Sequence, residues 1–234
     1  MGMNIQRKMK TGDIVTQFPK ANQLFKKYRI DFCCSGNQPI ADAIQQLNLD
    51  EGKVLSELQS LYDASIAMQN KEVDWTQAEY SELIDYIVQA HHAYLYETLP
   101  ELSQFITKVY RVHGHHRPEL SEVHHLFHKL KAELEHHLIQ EEEHIFPKIK
   151  AFDQSASLLD LENATQAIDQ LEKEHETCGH LLKELRHVTD DYTPPEGACM
   201  TYQLTYRKLD ELETDLFRHI HLENHILFPR LLAE

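Results

Sequence analysis

His137 and Glu141 stand four residues apart, as do His219 and Glu223. In a helix that spacing stacks both side chains of a pair on one face. Imidazole nitrogen and carboxylate oxygen offered together make a nitrogen–oxygen metal site, better suited to iron or manganese than to a soft, thiolate-held ion. Each pair is followed at the same distance by Phe-Pro, as Phe146-Pro147 and Phe228-Pro229, and preceded by a further histidine, His92 by 45 residues and His175 by 44. The pattern His, about 44 residues, His-x3-Glu-x4-Phe-Pro is therefore written twice. Duplication of a two-helix unit gives a pseudo-twofold bundle with paired ligands.

The elements that must carry these residues are long helices. From Thr76 onward the apolar periodicity predicts four of them, over Thr76 to Val112, Pro118 to Lys150, Ser157 to Asp190 and Glu196 to Leu232. Gly114 with Pro118, the polar stretch from Asp153 to Ser157, and Pro194-Pro195 supply the breaks. Four helices with short connections make an up-down-up-down bundle. The candidate ligands lie in the apolar stripes: His92 between Ile84, Val88, Leu95 and Leu99; His137 and Glu141 between Leu130, Leu134 and Ile145. His175 lies among Ile168, Leu171, Cys178, Leu182 and Leu185, and His219 and Glu223 among Leu209, Leu212, Leu216 and Ile226.

A histidine in a core more often marks a satisfied hydrogen bond than a ligand. A core glutamate is harder to accommodate, because an ionised carboxylate buried without a counter-charge costs several kcal/mol. No Lys or Arg shares the stripes near Glu141 or Glu223, which leaves a metal cation as the simplest partner. His91, beside His92, is the competing candidate, and His144 is a candidate support one turn beyond Glu141. The histidines outside the four candidates are expected on solvated or half-exposed faces.

Residues 1–65 predict a small helical domain, with helices over Pro19 to Tyr28, Pro39 to Leu47 and Asp50 to Leu61, each proline standing where a first turn tolerates it. Residues 66–75 read as a linker and residues 76–234 as the bundle. The loop Asp31-Phe32-Cys33-Cys34-Ser35-Gly36-Asn37 lies ahead of Pro39. Cys33 and Cys34 are either buried small hydrophobes or a redox or iron-transfer pair whose thiolate the following helix end would favour. So small a domain has few core residues and is expected to pack on another surface, which points to a homodimer.

Composition narrows the function classes. All seventeen histidines follow position 90, and residues 1–75 carry nine basic and nine acidic side chains against fourteen and twenty-nine in residues 76–234. The formal charge of −15 therefore belongs to the second part, which disfavours a nucleic-acid partner. No run of eighteen apolar residues and no signal-peptide pattern is present, so a cytoplasmic protein without membrane attachment is expected.

The repeated pattern, with His-Leu-Glu-Asn-His-Ile-Leu-Phe-Pro-Arg at His221 to Arg230 and Asp-Phe-Cys-Cys-x-Gly at Asp31 to Gly36, resembles the Ric family of hemerythrin-like di-iron proteins. Proteins of that family repair iron-sulfur clusters after oxidative or nitrosative stress. The resemblance spans about Thr11 to Leu232 and implies an all-α chain, a hemerythrin-like four-helix bundle preceded by a small helical domain. It implies two iron ions, oxo- or hydroxo-bridged, with Glu141 and Glu223 bridging, His92 and His219 on one iron, and His137 and His175 on the other. Damaged iron-sulfur proteins are the implied partners. Nitric oxide reduction at the same irons, or oxygen or nitric oxide sensing, needs the same ligands. Ser35 departs from the family loop, which commonly reads Cys-Cys-Gly-Gly.

Overall fold

The computed structural model describes residues 3–67 and 73–234. Residues 68–72 of the expected linker lie outside the described residues. The chain is all-helical, a small helical region followed by the four long helices of a hemerythrin-like bundle. By contacts it forms two units, Met1–Ala78 with Phe217–Glu234, and Glu79–Leu216.

In the first unit four helices, α1 (Thr11–Gln17), α2 (Ala21–Tyr28), α3 (Ile40–Gln46) and α4 (Glu51–Ala67), surround a core of Ile14, Phe18, Phe25, Ile30, Phe32, Ile44 and Leu58. The segments ahead of α1 and α3 are tied by backbone bonds, Ile40 N–H to Met9 O at 2.8 Å and Thr11 N–H to Gln38 O at 3.1 Å. Ile220 is part of the same core and Phe217 packs against it. Part of the small domain's apolar surface is thus covered by its own chain.

The first long helix of the bundle comprises α5 (Tyr80–Tyr86), a π-helical turn over Ile87–His92, and α6 (Ala93–His113). The second comprises α7 (Glu119–Gln140), a π turn over Glu141–Ile145, and α8 (Phe146–Ser155). The third is interrupted: α9 (Leu158–Thr165) and α10 (Ile168–Val188) meet at Gln166 and Ala167, where one continuous helix from Ser157 was expected. In Glu79–Leu216, α9 packs on α8, while α7 packs on both α6 and α10. The fourth comprises α11 (Met200–Leu222), a π turn over Glu223–Leu227, and α12 (Phe228–Leu232).

The Phe-Pro pairs account for two of the π turns. Pro147 and Pro229 fall in the first turns of α8 and α12, where a missing N–H costs nothing. An uninterrupted α-helix would need those N–H groups and would drive each ring into the preceding carbonyl. A wider turn lets the helix restart at the Phe-Pro instead. Such a turn acts as a one-residue insertion and rotates the C-terminal part of the helix about its axis. The π turn over Ile87–His92 likewise explains why Ile87 is fully buried and Val88, expected in the stripe, only half-buried.

Between α10 and α11, Asp190, Asp191 and Tyr192 all have left-handed backbones (φ 48°, 57° and 55°), a costly run for non-glycine residues. Arg186 holds it, donating from Nε to buried Glu213 at 3.0 Å and from Nη1 to Asp191 at 3.2 Å, with its guanidinium over the Tyr192 ring.

A buried histidine and glutamate metal centre

Two of the π turns begin at a candidate glutamate and the third ends at a candidate histidine. Glu141 and Glu223 are fully buried, and His92, His137, His175 and His219 nearly so. Their ligand atoms fall into two groups, His92, Glu141, His219 and Glu223 in one and His137, Glu141, His175 and Glu223 in the other. Within each group the atoms lie within 4.8 Å of one another, and both glutamates belong to both groups.

The imidazole tautomers follow from their outer partners. His92 Nδ1–H donates to Glu142 Oε1 and His137 Nδ1–H to Glu174 Oε2, each at 2.8 Å. The His137 bond holds the Glu174 carboxyl down at about 2, with Gln170 adding a second donor. A neutral imidazole with its proton on Nδ1 presents a lone pair at Nε2. The Nε2 atoms of His92 and His137 lie 3.3 Å from Glu141 Oε2 and Oε1 respectively, and those of His137 and His175 lie 3.0 Å apart. His219 Nε2 is 3.1 Å from Glu223 Oε1. Lone pairs converging on carboxylate oxygens at these distances repel unless a cation lies among them, so the donor set fits divalent or trivalent metal ions.

Residues 83–231 match the hemerythrin HHE cation binding domain, and residues 7–62 match a domain of unknown function, DUF542. Over 222 residues the chain is 38% identical to the iron-sulfur cluster repair protein YtfE of Escherichia coli O81 (strain ED1a), covering 95% of this chain and 96% of that one. The same identity and coverage hold for proteins of that name from Escherichia fergusonii and from Escherichia coli O6:H1. The chain belongs to the YtfE family of iron-sulfur cluster repair proteins. Its hemerythrin HHE region supplies a cation site of two buried His/Glu groups, as a two-metal centre requires.

Other residues of this YtfE-family chain depart from the sequence expectation. His91 is buried rather than solvated, its Nδ1–H donating to Asp215 Oδ1 at 2.9 Å, and it belongs to neither metal group. His144 is exposed, and the acids that support the histidines are Glu142 and Glu174. Both adjoin a candidate ligand in sequence, Glu142 after Glu141 and Glu174 before His175, and that adjacency was the available signal.

His221 and His225 were expected on a solvated face and instead belong to the first unit's interior. His221 is 5% exposed, its ring against Phe32, and burial holds it down at about 3 as a neutral imidazole. His225 stacks on His221 and donates from Nε2 to the Cys33 carbonyl at 2.8 Å. A Cβ at Gly12 would meet the His225 ring at 2.5 Å and one at Gly36 would meet it at 2.2 Å, so this close approach needs glycine at both. Asp31, Cys33 and Cys34 form a third group of candidate ligand atoms. Burial pushes the Cys33 thiol well up, against the lowering expected from the helix at Pro39. That helix, α3, has only seven residues.

Proposed function

We propose that the chain repairs iron-sulfur clusters damaged by oxidative or nitrosative stress and draws on iron held by His92, His137, Glu141, His175, His219 and Glu223. The observation that carries this reading is the membership of Glu141 and Glu223 in both metal groups. It supports two bridged irons, one served by His92 and His219 and the other by His137 and His175. The names of the YtfE relatives support the repair role.

The protein's own groups do the positioning. Glu142 and Glu174 retain the Nδ1 protons of His92 and His137, fixing the tautomer that aims Nε2 inward. Phe146 stacks on the His92 ring and holds its plane. Burial of both glutamates makes the metal-free state costly, which favours iron binding from dilute solution. Iron bound there supplies a ready source of the ion for rebuilding a cluster. Cys33 and Cys34 are assigned to iron or electron transfer between this centre and the client.

The clients are damaged iron-sulfur proteins in the cytoplasm. Among the described residues no helix is long and apolar enough to cross a membrane. A homodimer in which residues 1–65 contribute contact belongs to the same proposal. Light scattering reads it as about twice the 27.4 kDa chain mass. The deciding experiment incubates iron-loaded protein with a nitric-oxide-damaged dehydratase. Recovery of dehydratase activity with matching loss of bound iron is expected. Nitrous oxide formed over many turnovers, without iron loss, would replace repair by nitric oxide reduction.

A further inference from the structure

The loop from Asp31 to Gly36 has a conformation that its sequence alone does not announce. Asp31 Oδ1 accepts the backbone N–H groups of Cys33, Cys34 and Ser35, each at 3.1 Å. In an extended chain, adjacent side chains point to opposite faces. Wrapped around the Asp31 carboxylate, Cys33 and Cys34 instead bring their sulfurs to 3.6 Å, with Cys33 Sγ 3.5 Å from Asp31 Oδ1. The His225 bond to the Cys33 carbonyl and its ring packing on Gly12 and Gly36 hold the loop in this form.

The sulfurs are in S–H···S contact, and their separation can be set against what a disulfide and a metal chelate need. A disulfide needs about 2.05 Å, so the loop would have to close by roughly 1.5 Å. Two metal–sulfur bonds of about 2.3 Å at a tetrahedral angle span roughly 3.8 Å. The observed 3.6 Å is close to the chelating value. The ligand atoms of Asp31, Cys33 and Cys34 lie within 4.8 Å of one another, with Cys33 buried and Cys34 half-buried.

We propose that Asp31, Cys33 and Cys34 form a second metal site, of two thiolates and one carboxylate, that takes a thiophilic divalent cation. Binding replaces the two S–H bonds by two metal–sulfur bonds, and the two protons leave to solvent. Three protein ligands leave a tetrahedral ion one position short, as in sites that exchange a ligand. The half-buried Cys34 side gives an incoming group its access. Ferrous iron as the natural occupant rests on the iron-donor reading above; the site itself does not.

The test titrates Cd(II) into iron-loaded full-length protein in a Cys199→Ser background. That background is needed because exposed Cys199, with His113 Nε2 3.3 Å from its sulfur, could also take the probe. About one Cd(II) per chain should bind beyond the iron, with a sulfur-to-metal charge-transfer band and no iron release. Changing Cys33→Ser with Cys34→Ser should abolish the band and weaken binding at least tenfold. Cys34→Ser alone, at the half-buried position, gives the same reading if the double variant fails to fold. Asp31→Asn, whose amide oxygen can still accept the three N–H bonds, should weaken binding by about tenfold. Cd(II) uptake without the band, uptake only in exchange for iron, or unchanged affinity in the cysteine variants would overturn the site. Repair of a damaged dehydratase by the cysteine variants reads the iron relay separately. Unchanged repair would remove the relay and leave a Cd(II)-positive site standing.

Discussion

The two copies of His-x3-Glu-x4-Phe-Pro, His137–Pro147 and His219–Pro229, share their ligand positions and differ in what surrounds them. In both, the glutamate opens a π turn and the Phe-Pro restarts an α-helix. Between its histidine and its Phe-Pro the first copy is partly open to solvent: Ile139 is 45% exposed, and Glu143 and His144 are exposed. At the matching positions of the second copy stand buried His221, half-buried His225 and buried Ile226. Residues 219–223 are buried without a break, so this turn has no solvent face. Both copies line the metal groups, and the second also completes the core of the first unit through Ile220, His221 and His225. The ligand pattern thus constrains only the inward positions, leaving the outward ones to acquire a second task.

The largest effects should be equal in the two copies. Glu141→Leu and Glu223→Leu each remove a carboxylate shared by both metal groups, and each should yield a folded protein that retains little iron by elemental analysis. Near-full loading of either variant would break the equivalence of the copies. His137→Ala and His219→Ala each touch one group, so iron content should fall by about half in each, with His92→Ala and His175→Ala behaving likewise.

Stability should then separate the copies. His221→Ala empties a buried position against Phe32 and should cost about 1–3 kcal/mol in urea unfolding, whereas Ile139→Ala should stay within about 0.5 kcal/mol. Equal costs would mean that the second copy is no more embedded than the first. The smallest effect is a coupling. The three atoms nearest a Cβ at Gly12 all belong to the His225 ring, so Gly12→Ala should be destabilising alone and partly relieved by His225→Ala. A double-mutant cycle should return about 1 kcal/mol of interaction. At Gly36 relief should be poorer, because the Phe32 carbonyl also lies 2.5 Å from a Cβ there. Full rescue at Gly36 would show that the loop backbone yields.

The bundle was legible because its signal is periodic and written twice. The fold class and the six candidate positions needed only the spacing of His and Glu within apolar stripes, whereas their division between two metals came from the family resemblance. What could not be read were interactions that depend on rotation after a π turn or on distant segments. Val88 looked like core because a regular helix was assumed across Ile87–His92. The third helix looked continuous because the break at Gln166 and Ala167 carries neither glycine nor proline. His221 and His225 looked like surface because their partners, Phe32, Cys33, Gly12 and Gly36, lie near the other end of the chain. Glu142 and Glu174 were not singled out, since sequence adjacency to Glu141 and His175 is a weak signal that does not tell a carboxylate bracing a histidine from one that faces water.

The packing of His221 on Phe32 joins residues 189 positions apart. At ribosomal speeds of about 5–20 residues per second, the segment that covers the Cys33 loop is made roughly 10–40 s after the loop itself. Through that interval Phe32 lacks the His221 ring and the Cys33 carbonyl lacks its His225 donor, although the helices α1 to α4 can already form. The nascent chain therefore passes through a period in which the cysteine loop is without the His225 bond that holds it, and the period closes only when the last helix emerges.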